Sequence, residues 1–516
     1  MERNPLVLTL DFGTQSVRTA LINKKGETVF ISKKVYEPMY FSNKNGYAEQ
    51  HADFYWENVV ECLKKISKEK ADLLKDISAM TVSTFRDSAV LLDKNLKPLR
   101  PVILWCDQRL AKAEEKIPAI HAFLFKLVGM LDTVVMNRTR TTAHWVKENE
   151  PEIWAKVDKY VNISTYINYK LSGELADSPC GMTGHYPLNY KKSTWYKEGA
   201  MKGRIFGIPN RMLPKLVKPG EVIGTLSDDV AELTGLPKNI KLIASGSDKG
   251  CETIGLGCLT PDIAAISYGT ACSIEVSNPH YHEPEPFLPA YAAAVPNLYN
   301  MDVQIYRGFW MLRWFANEFA SELEQEARAR DVRIEEILDE WLNDVKIGSD
   351  GLILQPYWGP GLARPLAKGA IVGFSSVHTR KHIYRAIVEG IAFALREGLE
   401  SIEKSQKQKV KSIRISGGGS LSDEICQITA DIFGLDISRV QTIESTSLGA
   451  AIATFTAINE FKDVHEAVNG MVKVSETFKP NKENHRAYER IYRDVYLKMY
   501  PRLKPLNDTI NDIFKR

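Results

Sequence analysis

The chain opens on an apolar run, Leu6–Leu10, which ends at Asp11-Phe-Gly-Thr14 and resumes as a partly alternating stretch, Ser16–Ile22, before Lys24-Lys25-Gly26. Alternation with a period of two marks a strand, and a glycine-bearing gap between two such runs marks a tight turn. The segment therefore reads as a β-hairpin whose first loop carries Gly13. The pattern returns about half a chain later, as an apolar strand from Ile263, then Tyr268-Gly-Thr-Ala271, then Ser273–Val276. One repeat at this separation predicts a duplicated domain rather than a solenoid. Elsewhere the period becomes helical. Asp53–Ile66 places Phe54, Val59, Leu63 and Ile66 on one face, and Lys381–Ile402 does the same with Ile383, Ile387, Ile391, Leu395 and Ile402. Ile77–Ser83, Ala89–Asp93 and Ser412–Ser416 read as strands, the last running into Gly417-Gly418-Gly419. A helix is predicted over Asp423–Phe433 with Gly434 as its stop, and a small-residue helix over Ser447–Ile458. Strands alternating with helices give an α/β class. The boundary falls near Ala244–Gly246, dividing the chain into 1–245 and 246–516.

Composition narrows the function. At 516 residues the chain is too long for one core. A net charge of +3 with no local basic excess argues against a nucleic-acid partner. No apolar run approaches the ~18 residues a membrane span needs. Asp11 interrupts the first apolar run, against a signal peptide. Seven scattered cysteines without a C-x-x-C pair point to reduced thiols and a cytoplasmic location. His280-Tyr-His282 lacks acidic or cysteine ligands at metal spacing and reads as a loop pair.

Three segments could carry chemistry. In Asp11-Phe-Gly-Thr14 the glycine lets backbone N–H groups approach a phosphate, with polar Thr14, Gln15 and cationic Arg18 beside it. Asp11, at a strand end, is placed to hold Mg²⁺ through water beside a nucleotide; the bland alternative is a hairpin turn with a capping acid. Asp248 follows the strand Lys241–Ala244 and a Gly/Ser turn. It reads equally as a general base facing a cleft or as a helix N-cap. Gly417–Ser420, between a strand and a helix, can lie flat against a nucleotide.

The order of these pieces, hairpin turn, acid, second hairpin turn and GGG loop, resembles the superfamily of sugar kinases, actin and heat-shock chaperones. Within it the chain is similar to the FGGY carbohydrate kinases over nearly its whole length. The likeness also rests on Gly46-Tyr-Ala-Glu-Gln50, PLRPVILWCDQR at Pro98–Arg109, YKLSGE at Tyr169–Glu174, ISGGGSLSDEICQITADIFG at Ile415–Gly434 and ESTSLGAA at Glu444–Ala451. The resemblance implies two duplicated ribonuclease-H-like (actin-like ATPase) domains around a cleft. ATP would sit mainly on the second and a small sugar or polyol mainly on the first. It further implies Asp248 as the base towards the sugar hydroxyl and Asp11 on Mg²⁺. Thr14, Gln15, Arg18 and Thr270 would meet the transferring phosphate, and Gly418, Gly419 and Asp423 the adenosine. A homodimer is also a family-level expectation.

For the sugar, Arg86-Asp87 stands where glycerol kinases carry Arg-Glu and xylulose kinases a His-containing pair. Arg86 can donate to hydroxyls and Asp87 accept from them; the alternative is a structural ion pair at a strand end. Trp105 could cover the carbon chain and Asp107 accept from a hydroxyl. An open-chain pentulose such as xylulose or ribulose is favoured. Erythritol, autoinducer-2-type compounds and glycerol stand as alternatives, glycerol less so because residues 359–363 match glycerol kinases poorly. A non-catalytic ATP-driven switch would share the fold, but would typically lack an acid at position 248.

Overall fold

Two sheets built on one plan organise the chain, in a computed structural model that describes residues 4–514 except 114–116, 128, 286–287, 360, 362–363 and 365. Pro360, Leu362 and Ala363 of the 359–363 segment thus lie outside the described residues. In the first sheet β1 (Leu6–Phe12), β2 (Ser16–Asn23) and β3 (Thr28–Val35) form an antiparallel meander. Helix α1 (Ala52–Glu69) crosses over to β4 (Ile77–Thr84), parallel to β1. Helix α2 (Ile163–Ser172) precedes β5 (Lys241–Ile243), parallel to β4, and α3 (Asp248–Gly255) follows.

The second sheet repeats this with β6 (Ile263–Tyr268), β7 (Cys272–Asn278), β8 (Tyr299–Ile305), α4 (Arg380–Gln406), β9 (Ser412–Ser416), α5 (Asp423–Phe433), β10 (Asp436–Val440) and α6 (Ser445–Ala457). Both sheets run 3-2-1-4-5 in these units, and each carries a sixth, antiparallel strand at the same edge. That strand, Val222–Thr225, precedes β5 in the first sheet, whereas Val474–Phe478 follows β10 in the second. The shared order is the physical content of the two hairpin patterns read in the sequence.

All seven residues of β1 are buried, because helices cover both faces of the sheet. The strand extends past Leu10 through Asp11 and Phe12, so the turn shrinks to three residues closed by the Gly13 N–H donating to the Ser16 carbonyl at 3.0 Å. Gly434 ends α5 in the left-handed region at φ 67°. Helices at Ala119–Leu127, Leu131–Arg140 and Thr142–Asn149 lie in an insertion between β4 and β5 and were not predicted. After α6 come Lys482–Ile491 and Leu497–Ile513, whose approach seats Tyr488, Tyr492 and Tyr496 on Phe393. All seven cysteines are free thiols. Among the described residues no helix is long and apolar enough to cross a membrane.

The two units meet where α3 crosses α6. A Cβ on Gly255 would overlap the Ser445 carbonyl oxygen, and one on Gly449 would overlap the Cys251 carbonyl oxygen. The helices therefore touch backbone to backbone, and only glycine fits at either point. Leu448, Ala451 and Ile452 of α6 share a core with Val7, Ala20 and Ile22 of the first sheet, so a helix of the second unit seals a face of the first. A Gly449→Ala variant is expected to lose about 2 kcal/mol or more by forced separation of the helices, read as a lowered Tm; an unchanged Tm would mean the helices can part freely.

Candidate active site

A cavity of about 250 Å³ opens between the units. It is lined from the first by Thr14, Arg86, Asp87, Trp105 and His185, from α3 by Asp248 and Lys249, and from the second by Ala271, Ser273 and Tyr291. Ser247 rather than Asp248 caps α3, its hydroxyl accepting from the Gly250 N–H at 3.3 Å. The capping alternative for Asp248 is thus taken by its neighbour, and Asp248, at the first helical position, turns its carboxylate to the cavity. Burial raises its pKa, while Lys249 and Arg86 beside it pull it back down.

Asp11 faces Arg18 across the first hairpin at 3.4 Å, and the Arg18 Nε reaches Glu444 at 3.2 Å. Burial pushes the Asp11 pKa up to about 7; Arg18 opposes this, and Asp248, Glu444 and Glu252 add to it. Thr14 lines the cavity and accepts from the Trp105 indole N–H at 3.0 Å, which fixes that ring over the turn. Gln15 is exposed at the tip. In the matching turn Ala271 and Ser273 line the cavity and Thr270 does not; the Thr270 carbonyl receives the Trp310 N–H at 3.2 Å. Gly417 sits at φ 84°, where a Cβ would press on the Tyr268 backbone. Gly418 is exposed and open. Gly419 is buried, and the Phe309 ring occupies the place a side chain would take. Asp423, largely exposed, pairs with Arg439 at 2.7 Å.

Arg86 and Asp87 do not pair with each other. Arg86 reaches across the cleft to Asp302 at 2.5 Å and towards Glu275 at 3.8 Å, and its Nε donates to the Ser247 hydroxyl at 3.1 Å. Asp87, held at φ 53°, accepts from the His185 backbone N–H at 2.8 Å and meets the His185 Nδ1 at 2.6 Å. A carboxylate accepts only, so the His185 Nδ1 carries a proton and donates it to Asp87. Desolvation of the Asp87 carboxyl is outweighed by His185, and its pKa falls.

Asp107 corrects a sequence expectation. Its Oδ1 accepts from the Arg109 N–H and Nε, and its Oδ2 from the Ala48 N–H at 2.6 Å and Arg109 Nη2 at 2.8 Å. Both oxygens are occupied and the residue does not line the cavity. The W-x-D-x-R spacing lets the Arg two positions on fold back over the acid, building wall instead of ligand contact. Sequence reasoning missed His185, Lys249 and the aromatic wall of Tyr186, Tyr190, Tyr291 and Tyr306. His185, Tyr186, Tyr190 and Tyr306 come from segments outside the regular helices and strands, Tyr291 from a two-residue strand, and Lys249 from the first turn of α3. Two hydroxyls of the lining, Ser273 Oγ and Tyr186 Oη, are buried without a hydrogen-bond partner. Unpaired buried hydroxyls in a cavity wall are suited to receive a polar ligand.

Two duplicated domains enclosing a cleft that gathers a helix-borne carboxylate, two glycine turns and a hydroxyl-lined cavity define a phosphotransferase of the actin-like fold. Residues 6–255 match the N-terminal domain, and 264–458 the C-terminal domain, of the FGGY family of carbohydrate kinases. The chain belongs to that family and is a carbohydrate kinase, which takes its phosphate from ATP. It is 28% identical over 492 residues to a xylulose kinase of Lactococcus lactis subsp. lactis (strain IL1403), covering 94% of each chain. It is 26% identical over 499 residues to a gluconokinase of Bacillus licheniformis, again covering 94% of each. A crystal structure of ligand-bound xylulose kinase from Lactobacillus acidophilus superposes with a TM-score of 0.81 at 23% identity, covering 98% of this chain and 100% of that one.

The geometry separates two roles for residues of this wall. His185→Leu is expected to raise the sugar KM about ten-fold, the cost of one hydrogen bond in a buried site, with the ATP KM unchanged. Asp107→Asn should instead lower Tm and leave the sugar KM near wild type. Steady-state kinetics and thermal unfolding on both variants check this; an unchanged sugar KM in His185→Leu would remove His185 from the site.

Proposed function

We propose that this enzyme phosphorylates a hydroxyl of an open-chain pentulose, xylulose or ribulose, with Asp248 as general base. The observation that carries the reading is the release of Asp248 from capping duty into a cavity whose wall holds unpaired hydroxyls. Asp248 removes the proton of the attacking hydroxyl as the oxygen closes on the γ-phosphorus, and the phosphoryl group passes to it while ADP leaves. Little covalent work falls to the protein, so positioning and charge neutralisation dominate. The turns at Gly13–Gln15 and Gly269–Ala271 offer backbone N–H groups from opposite domains, Thr14 and Thr270 their hydroxyls, and Gly418 an open surface to the adenosine. Arg18, already shared between Asp11 and Glu444, would swing its charge to the phosphate when the nucleotide enters.

Asp248, Glu444 and Glu252 lie near enough to Asp11 to raise its pKa, with Arg18 opposing them. Such a negative cleft fits a dication. Among the described residues no cluster of three His, Cys, Asp or Glu side chains is placed to chelate one. The Mg²⁺ would accordingly enter with ATP and be held by Asp11 through water, supplying charge neutralisation between the phosphates. His185, Asp87, Ser273 and Tyr186 would read the sugar hydroxyls, and Trp105 would cover its carbon chain. The reactants point to a cytoplasmic enzyme.

Support for a pentulose comes from the xylulose-kinase relatives; the gluconokinase relative is the reason to test an aldonate beside it. ADP release measured with xylulose, ribulose, erythritol, glycerol and gluconate should give the highest kcat/KM for a pentulose; highest turnover on gluconate would overturn that choice. Asp248→Asn should lose at least about 100-fold in kcat while ATP binding persists. Retention of more than about a tenth of kcat would remove Asp248 as the base.

A further inference from the structure

Lys249, the residue after Asp248, is half-buried in the cavity wall, its side chain 18% exposed, yet is not free to act as a roaming cation. Its Nζ donates to Glu252 Oε2 at 2.8 Å and to the Ser267 hydroxyl. Glu252 Oε1 in turn accepts from the Ser267 hydroxyl at 2.9 Å and from the Ser416 hydroxyl. Ser267 is the next-to-last residue of β6, directly before the Tyr268-Gly-Thr turn, and Ser416 ends β9, directly before Gly417-Gly418-Gly419. The pair thus ties the first turn of α3 to the roots of both nucleotide-facing loops of the second domain, and it does so next to the proposed base.

We propose that Lys249 and Glu252 form a positioning ion pair, which locks the Asp248 helix to both loops and balances the charge around the Asp248 carboxylate. The proposal rests on the reading of Asp248 as the base. Charge balance follows from what faces that carboxylate. From α3 come Lys249 and Glu252, from the end of β4 Arg86, and from β1 Asp11. Arg86 is already divided between Asp302 and Glu275, and Glu275 of β7 also faces Lys249. Removing Lys249 leaves Asp248 and Glu252 with Arg86 as the nearby cation, since Arg18 is held by Asp11 and Glu444. Removing the charge of Glu252 releases the full Lys249 cation towards Asp248.

The two single substitutions must then act in opposite directions on the proton affinity of Asp248. A base works only when deprotonated, so kcat/KM falls as pH drops through its pKa. Lys249→Met should move that acid limb up by about one pH unit, the usual effect of losing a close opposite charge. Glu252→Gln should move it down. The double variant Lys249→Met/Glu252→Gln, neutral at both positions, should return the limb close to wild type, and Lys249→Arg should hold it there. A purely structural pair would lower kcat and Tm in every variant without opposed limbs.

The experiment is the pH profile of kcat/KM for these four proteins, with MgATP saturating and the best sugar varied, beside thermal unfolding. Opposed shifts with restoration in the double variant support the proposal. Limbs that move together, or stay put while kcat drops, overturn it. Should a single variant fail to fold, the double variant and Lys249→Arg still decide: a displaced limb in either contradicts the charge-balance role. If Asp248→Asn keeps its turnover, the assignment of the base fails; if that variant is inactive and the limbs do not diverge, the ion-pair proposal alone fails.

Discussion

Two glycines, Gly255 and Gly449, allow α3 and α6 to cross at backbone contact, and that crossing places everything else in the cleft. Helix α3 carries Asp248 at its first turn, one turn after the last parallel strand of the first sheet. Helix α6 occupies the equivalent position after the last parallel strand of the second sheet, and it packs into the core of the first. The duplicated plan therefore does more than double the fold. It brings two equivalent helices together as the joint between domains, and it leaves the proposed base on one of them facing the loops of the other domain. Loss of close packing there would shift Asp248 relative to both glycine turns, and a misplacement on the order of 1 Å is enough to cost about 10²-fold in rate.

Around that joint the cleft is organised by charge. Asp11, Asp248, Glu252, Glu275, Asp302 and Glu444 draw on Arg18, Arg86 and Lys249. Each cation is shared between acids, and several of the bonds span the domains: Arg18 with Glu444, Arg86 with Asp302. Buried charges survive only when paired and hydrogen-bonded, so these pairs also hold the cleft in register. A nucleotide phosphate with its metal adds both signs at once. It can take Arg18 from its partners without leaving the acids unbalanced.

Much of this was written in local pattern. The two hairpins, the helices Asp53–Ile66, Lys381–Ile402 and Asp423–Phe433, and the GGG loop declared themselves through period and glycine placement, because each is a regular element with one buried face. Asp248 could not be told from an N-cap by sequence alone: the Ser-Asp pair at a helix start offers two capping candidates, and backbone geometry decides between them. Asp107 misled for a related reason, since only the folded turn shows both of its oxygens taken by Arg109 and Ala48. The cavity wall was hidden because His185, Tyr186 and Tyr190 come from irregular segments and Tyr291 from a two-residue strand of the other domain, far apart in sequence and joined by the cleft. The packing of Gly419 on Phe309, more than a hundred residues earlier, has no local signature in the GGG run.

The account stands on transfer, not hydrolysis: the closed cleft must deliver the γ-phosphoryl group to a sugar hydroxyl and to little else. Phosphorus-31 NMR on the wild-type enzyme with MgATP and saturating pentulose measures this directly, by counting ADP, inorganic phosphate and sugar phosphate in one spectrum. One sugar phosphate formed for each ADP, with inorganic phosphate near the level of an enzyme-free control, is the predicted result. ADP matched by inorganic phosphate, at a rate the sugar does not change, would contradict it.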